Sequence, residues 1–310
     1  MSAHMTENGP VNMLHVELLH NGISELSTWT DNATTTGFFF AELLSFGLDA
    51  PYLMNEMLAY SALHLSIVKP ERRDFYRNHA AQLQMHALNQ YNLQSPHIND
   101  QNCVSVFVFA AFLGLHMLCD TLVFREDSFE AFLDRFLQYV RLHRGVRTIA
   151  SEGRWSIICQ NTTLQPLLEL GSRLPPMDAE LGPNCRILLE RIQTSETEAS
   201  NQEIYKQAIQ ALHSVMTIVK ANSFYSGGFT ALTAWPVLVP REYVDLLSAR
   251  HGEALVILAY YGALVHTGRQ SWMFQDGGQF LIRSVFQYLG PSWSEWLEWP
   301  LGILDGTILI

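Results

Sequence analysis

From Pro51 to Lys69 the chain reads PYLMNEMLAYSALHLSIVK, a helix-length run that is apolar on nearly every face. Pro70 follows, and then a polar, amphipathic stretch from Glu71 to Asn92. A helix that is apolar all round has no face to give to water and must be buried on all sides. Val104 to Cys119 and Ala254 to Val265 repeat the pattern. Almost no segment shows the period-two alternation of a strand, so the pattern predicts an all-α body of many helices wrapped around several central ones.

The punctuation fits that reading. Leu14 to Thr28 reads as a first helix, and Asp31/Asn32 can cap a second over Ala33 to Phe46. Pro51 sits at a helix start, where its missing N–H costs nothing. The Glu71 helix ends before Ser95-Pro96, and Asn99 or Asp100 can cap the next one. Asp127 or Ser128 opens a further helix through Leu142. Gly171 to Pro183 is the clearest loop. The polar stretch Gln193 to Gln202 reads as an exposed segment between helices. The expected organisation is a flexible N-terminus over 1–12 and one helical domain over 13–310.

With 310 residues, 48% of them hydrophobic, and a mean hydropathy of +0.06, the chain can fill a core and still line a cavity. Its 19 basic and 30 acidic residues give a formal net charge of -11, which repels phosphate backbones, so nucleic acid is not an expected partner of this chain alone. Cys103, Cys119, Cys159 and Cys185 lack the close spacing of a zinc module or a disulfide framework and read as reduced thiols. Met1 to Gly9 has no apolar core of the kind a secretory signal needs, which points to an intracellular, cytoplasmic protein. The run from Val104 is shorter than the ~20 residues of a bilayer span and contains His116, so it is expected to be a core helix and not a membrane span.

Six blocks carry a family resemblance: LHVELLHN (Leu14 to Asn21), the long block from Pro51 to Leu88, RLHRGVRTI (Arg141 to Ile149) with Trp155 after it, LQPLLELG (Leu164 to Gly171), WPVLVPREYVDLL (Trp235 to Leu247) and GEALVILAYYGALV (Gly252 to Val265). In order and spacing they resemble the regulatory region of fungal binuclear zinc-cluster transcription factors, the sterol uptake control group in particular. The C-terminal stretch from Gly277 to Pro300 is similar as well. The resemblance implies an α-helical fold with a hydrophobic ligand pocket, which in the sterol regulator holds ergosterol. Such regulators begin with a six-cysteine zinc cluster that four scattered cysteines cannot build. The chain is then either the ligand-binding part of a longer regulator or a stand-alone relative without the DNA reader. A start methionine shortly before the first matching block favours the second.

A pocket without a DNA reader needs another output, and chemistry on the bound molecule is the economical one. Holding a flexible polyene in a reactive conformer can remove up to ~7–11 kcal/mol of barrier. His116 and Asp120, four apart on one helix face, are the expected acid/base pair, with the carboxylate orienting the imidazole. A core histidine beside a helix-ending aspartate is the structural alternative. Tyr260 and Tyr261 can present a phenol to a ligand hydroxyl or ketone, with His266 further along, although buried tyrosines also simply tie down neighbouring helices. Met54, Met57 and Met85 form a pliable cluster, the first two as ligand contacts. His64 is expected to be structural or pocket-lining. Trp272, Phe274 and Phe280, around the Gly277-Gly278 pair that permits close backbone approach, are the expected cavity lining, with simple core packing as the equal alternative. Arg144 and Arg147 are expected to satisfy helix C-terminal carbonyls or to pair with nearby acids.

The sequence has no GxSxG elbow, GxGxxG turn, Walker loop, HExxH or DDxxD pattern, so no metal and no cofactor is expected. The leading expectation is a cofactor-independent cyclase, pericyclase or isomerase acting on a terpenoid-like or polyketide-like intermediate of fungal secondary metabolism. The alternative is a sterol- or lipid-sensing regulatory domain without catalysis, nuclear if joined to a DNA reader. A dimerising scaffold is the third possibility.

Overall fold

The computed structural model describes residues 11–26, 39–94, 97–145, 149, 154–165, 168, 179–221 and 228–308. Among them are fourteen α-helices and no strand: α1 Met13–Ser24, α2 Phe39–Asp49, α3 Pro51–Val68, α4 Arg73–Gln94, α5 Cys103–Val123, α6 Phe129–His143, α7 Arg154–Gln160, α8 Pro183–Thr194, α9 Ala199–Ala221, α10 Phe229–Leu238, α11 Arg241–Ser248, α12 Gly252–Thr267, α13 Gly277–Leu289 and α14 Glu298–Leu304. The all-α expectation holds.

The helix starts follow the local chemistry. Asn12, expected in a flexible tail, is instead the N-cap of α1, its Oδ1 accepting from the Leu14 and His15 N–H groups. Ser128 caps α6 by accepting from Ala131 N, and Pro51 and Pro183 each stand at the first helical turn. Helix α1 ends earlier than expected, and the Asp31/Asn32 cap lies outside the described residues, as do 171–178 of the expected loop. The polar stretch from Gln193 to Gln202 holds the link between two helices, as expected: α8 runs to Thr194, and α9 begins at Ala199, so the non-helical part is only 195–198.

The three all-apolar runs become the central helices. Every residue of α12 from Ala254 to His266 is buried, and α3 is buried from Glu56 through Ser66. Helix α5 is the one described helix long and apolar enough to cross a membrane, and 61% of its most apolar stretch is buried against the rest of the protein. Two apolar clusters share α3 and α5. Tyr52, Leu53, Met57 and Tyr60 of α3 and Val106, Phe109, Phe112 and Leu113 of α5 pack in one. Leu63 and Leu65 of α3 and Leu118 and Leu122 of α5 pack in the other, around α12.

Two close approaches fix the corner around α12. A Cβ at Gly278 would lie 2.4 Å from the His266 nitrogen and 2.6 Å from the Gly262 carbonyl oxygen, so only glycine lets α13 start against α12. Pro236 stands inside α10. It has no N–H for the Leu232 carbonyl four residues earlier, and the Tyr261 hydroxyl of α12 donates to that oxygen instead, at 3.1 Å.

Candidate functional site

Helices α3, α4 and α5 meet in layers. At one end Tyr52, Tyr91 and Phe109 form an aromatic layer with ring centroids 5.1–5.4 Å apart. At the other, Asp120 receives the Arg135 guanidinium and lies 3.9 Å from that of Arg77. Arg135 also donates to the Asp120 and Phe124 carbonyls at the C-terminal end of α5.

Between these layers lies a polar one. Glu56 of α3 is fully buried, and among the described residues it is the one buried carboxylate. Its Oε1 lies 3.1 Å from His116 Nδ1 of α5 and accepts from Gln84 Nε2 of α4 at 3.4 Å. Its Oε2 is buried with no hydrogen-bond partner. An acceptor left unmatched in the interior costs ~1–3 kcal/mol, and more when charged. The expected pairing is thereby corrected: Glu56, from another helix, meets the His116 imidazole, while Asp120 is held by arginines. A lone carboxylate in an otherwise apolar run was the sequence signal for this residue, and Gln84 carried none.

The other side of α3 is organised differently. Ser61 Oγ donates to the Leu18 carbonyl at 2.6 Å and accepts from Asn21 Nδ2 at 2.8 Å. Asn21 also meets His64 Nδ1 at 3.2 Å. Trp272 packs edge-on against His64 at 4.8 Å and against Tyr60 at 5.4 Å. Burial pushes the His64 imidazole down to about 4.

The remaining expected residues are spread through the core. Tyr260 stacks on Trp299 at 4.9 Å and Tyr261 on Trp235 at 4.3 Å, so the adjacent phenols serve different neighbourhoods. Burial raises both well above the usual tyrosine range. His266 is buried with Nδ1 unpartnered, and its pKa is lowered by burial first and then by Arg269 and Arg283. The three rings expected to line one cavity have separate partners. Trp272 faces α3, Phe274 packs on Phe229 at 5.7 Å, and Phe280 packs on Phe132 at 5.2 Å beneath the Arg125 guanidinium. Gly277 abuts Leu122, and Gly278 the α12 backbone, so the pair serves helix packing. Met57 is fully buried and Met54 partly so, whereas Met85 is 60% exposed and stands apart from them.

Arg144 donates to the Val239 and Pro236 carbonyls at the C-terminal end of α10, far from it in sequence; Arg147 lies outside the described residues. A second set of unpartnered polar atoms, Tyr139 Oη, His143 Nδ1 and Trp235 Nε1, lies where α6 meets α10 and α12. The His143 ring covers Gly114 of α5, and burial lowers its pKa to about 4, against a smaller upward effect of the Thr233 backbone. The thiols are dispersed: Cys103 and Cys119 on α5, Cys159 on α7 and Cys185 on α8.

No family model matches the chain. Over 274 residues, 83% of its length, the chain is 24% identical to a Zn(2)-C6 fungal-type transcription factor of Gibberella zeae. It spans 54%, about half, of that relative. The chain is thus related over most of its length to a fungal transcription factor. The cyclase expectation gains nothing from it.

Proposed function

We propose that this chain is the effector-sensing, all-helical part of a fungal transcription regulator of the zinc-cluster type, working in the nucleus and responding to an apolar small molecule held among its central helices. The observation that carries the reading is the extent of the similarity, 83% of this chain against about half of a Zn(2)-C6 fungal-type transcription factor. A domain of that extent leaves room in the relative for a separate DNA reader. On this reading, effector recognition belongs to the apolar interior formed by the buried helices α3, α5 and α12 and to the buried Glu56 carboxylate among them.

The test is deletion of the gene followed by parallel transcript and metabolite profiling. Altered transcript levels of a coherent gene set, with no precursor that the purified protein converts, are expected. Accumulation of a precursor that the purified chain turns over would overturn the regulatory reading in favour of catalysis.

A further inference from the structure

We propose that the outer face of α4 is a homotypic interface, through which two copies of this chain pair antiparallel about a two-fold axis near Met85. The pairing goes beyond the effector-sensing reading and does not depend on it.

The first observation is that α4 lacks charge where it meets solvent. From Asn78 to Asn99 the sequence contains no Asp, Glu, Lys or Arg. In α5 and α12 long uncharged runs follow from burial. On α4 burial is not the reason, because Asn78, Gln82, Met85, His86, Asn89 and Leu93 are exposed, Met85 to 60% and Leu93 to 86%. At 3.6 residues per turn these six share one side of the helix.

The second is a contrast of faces. The inner side of α4 is committed to the fold: Tyr76, Ala80, Leu83 and Ala87 are buried, and the Gln84 and Gln90 amides meet Glu56 and Asn55 of α3. Other surface helices carry charge outward. Helix α6 presents Glu130 and Asp134 to Arg250, and α9 bears the Glu203–Lys206 pair. A face depleted of charge and centred on a methionine has the composition of an interface core, not of a solvated helix side.

The third concerns the occupant. A chain of net charge -11 repels its own copy, and any charged side chain near a two-fold axis meets its own like charge. A basic partner would be drawn to the carboxylates elsewhere on the surface and would find none on this side of α4. Two identical copies need side chains that tolerate themselves. Amides do, since each is both donor and acceptor, and so do methionine and leucine. With the axis between Met85 and His86, the two methionines lie side by side, and Gln82 falls opposite the partner's Asn89. The uncharged part of the helix is ~25 Å long and ~10 Å wide. That is small beside the ~800 Å² each partner buries in a stable interface, so the pairing is reversible and set by concentration.

Sedimentation velocity on the full chain over a wide dilution series tests this, with wild type, Met85→Glu, Met85→Lys and an equimolar mixture of the two variants. Both substitutions fall on an exposed side chain, so the monomers should keep the helical circular dichroism of the wild type. Wild type is expected to pass from monomer to dimer as concentration rises. Each variant alone should raise the dissociation constant about tenfold or more by setting like charges across the axis, and mixing them should return it to the wild-type value or below. A wild type that is monomeric throughout, a dimer that withstands both substitutions, or variants that mixing does not rescue would each overturn the interface.

Discussion

Two buried polar stations sit on the same helix, and they differ in one respect. At Ser61 and His64, α3 meets α1 through Asn21, and the polar atoms find each other at 2.6–3.3 Å. At Glu56, α3 meets α4 and α5, and one carboxylate oxygen is left over. Burial is the same at both, so the difference lies in completeness. A closed network locks helices in register and adds specificity to the packing. An open one gives up stability.

Breaking the open station should have the largest effect. His116→Phe leaves the Glu56 carboxylate buried without its imidazole and should lower unfolding stability by ~3–5 kcal/mol in denaturant titrations. Adding Glu56→Met should restore most of that loss, because an apolar pair leaves nothing unmatched. A double variant as unstable as the single would show that the layer is needed for the fold itself.

Acid comes next. His64 and His143 are held by burial at about 4 in the folded protein, against 6.5 ordinarily. Unfolded chains take up these protons as pH drops through 6.5 while the folded protein resists until about 4. Stability should therefore be full above 6.5 and fall through this window by up to ~3 kcal/mol per histidine. Unfolding curves at pH 7, 5.5 and 4.5 check this, and His64→Gln should flatten the slope; a slope unchanged by that substitution would remove His64 from the account.

At the closed station, Ser61→Ala removes the hydroxyl's bonds to the Leu18 carbonyl and Asn21, both of which keep other partners, and a loss of ~0.5–1.5 kcal/mol is expected in the same assay. The smallest effect belongs to Asp120→Asn. Its ion pairs with Arg135 and Arg77 are about one-third to one-half exposed, so ~1 kcal/mol or less is expected.

The helices were largely legible because their signals are local. Pro51, Ser128 and the three apolar runs act on neighbouring turns or through composition alone. The site was legible only in part. Spacing along one helix shows i,i+4 neighbours such as His116 and Asp120, but the partner of His116 arrives from a helix sixty residues earlier, and nothing in the sequence sets that register. The same limit applies to Trp272, Phe274 and Phe280. Nearness in sequence suggested a shared wall, yet the tight turns between α12 and α13 send Trp272 towards α3 and Phe274 towards α10, while Phe280, on α13 itself, meets α6. Met85 failed for a simpler reason: methionine is tolerated on exposed faces, and its type alone does not report burial.

The proline in α10 ties two distant positions into one unit of inheritance. Restore an ordinary residue at 236, and its amide reclaims the Leu232 oxygen, stranding the Tyr261 hydroxyl in a dry interior. Remove that hydroxyl instead, and the oxygen is the one abandoned. Neither change is comfortable alone, so lineages that drop the kink should be found to have dropped the phenol with it.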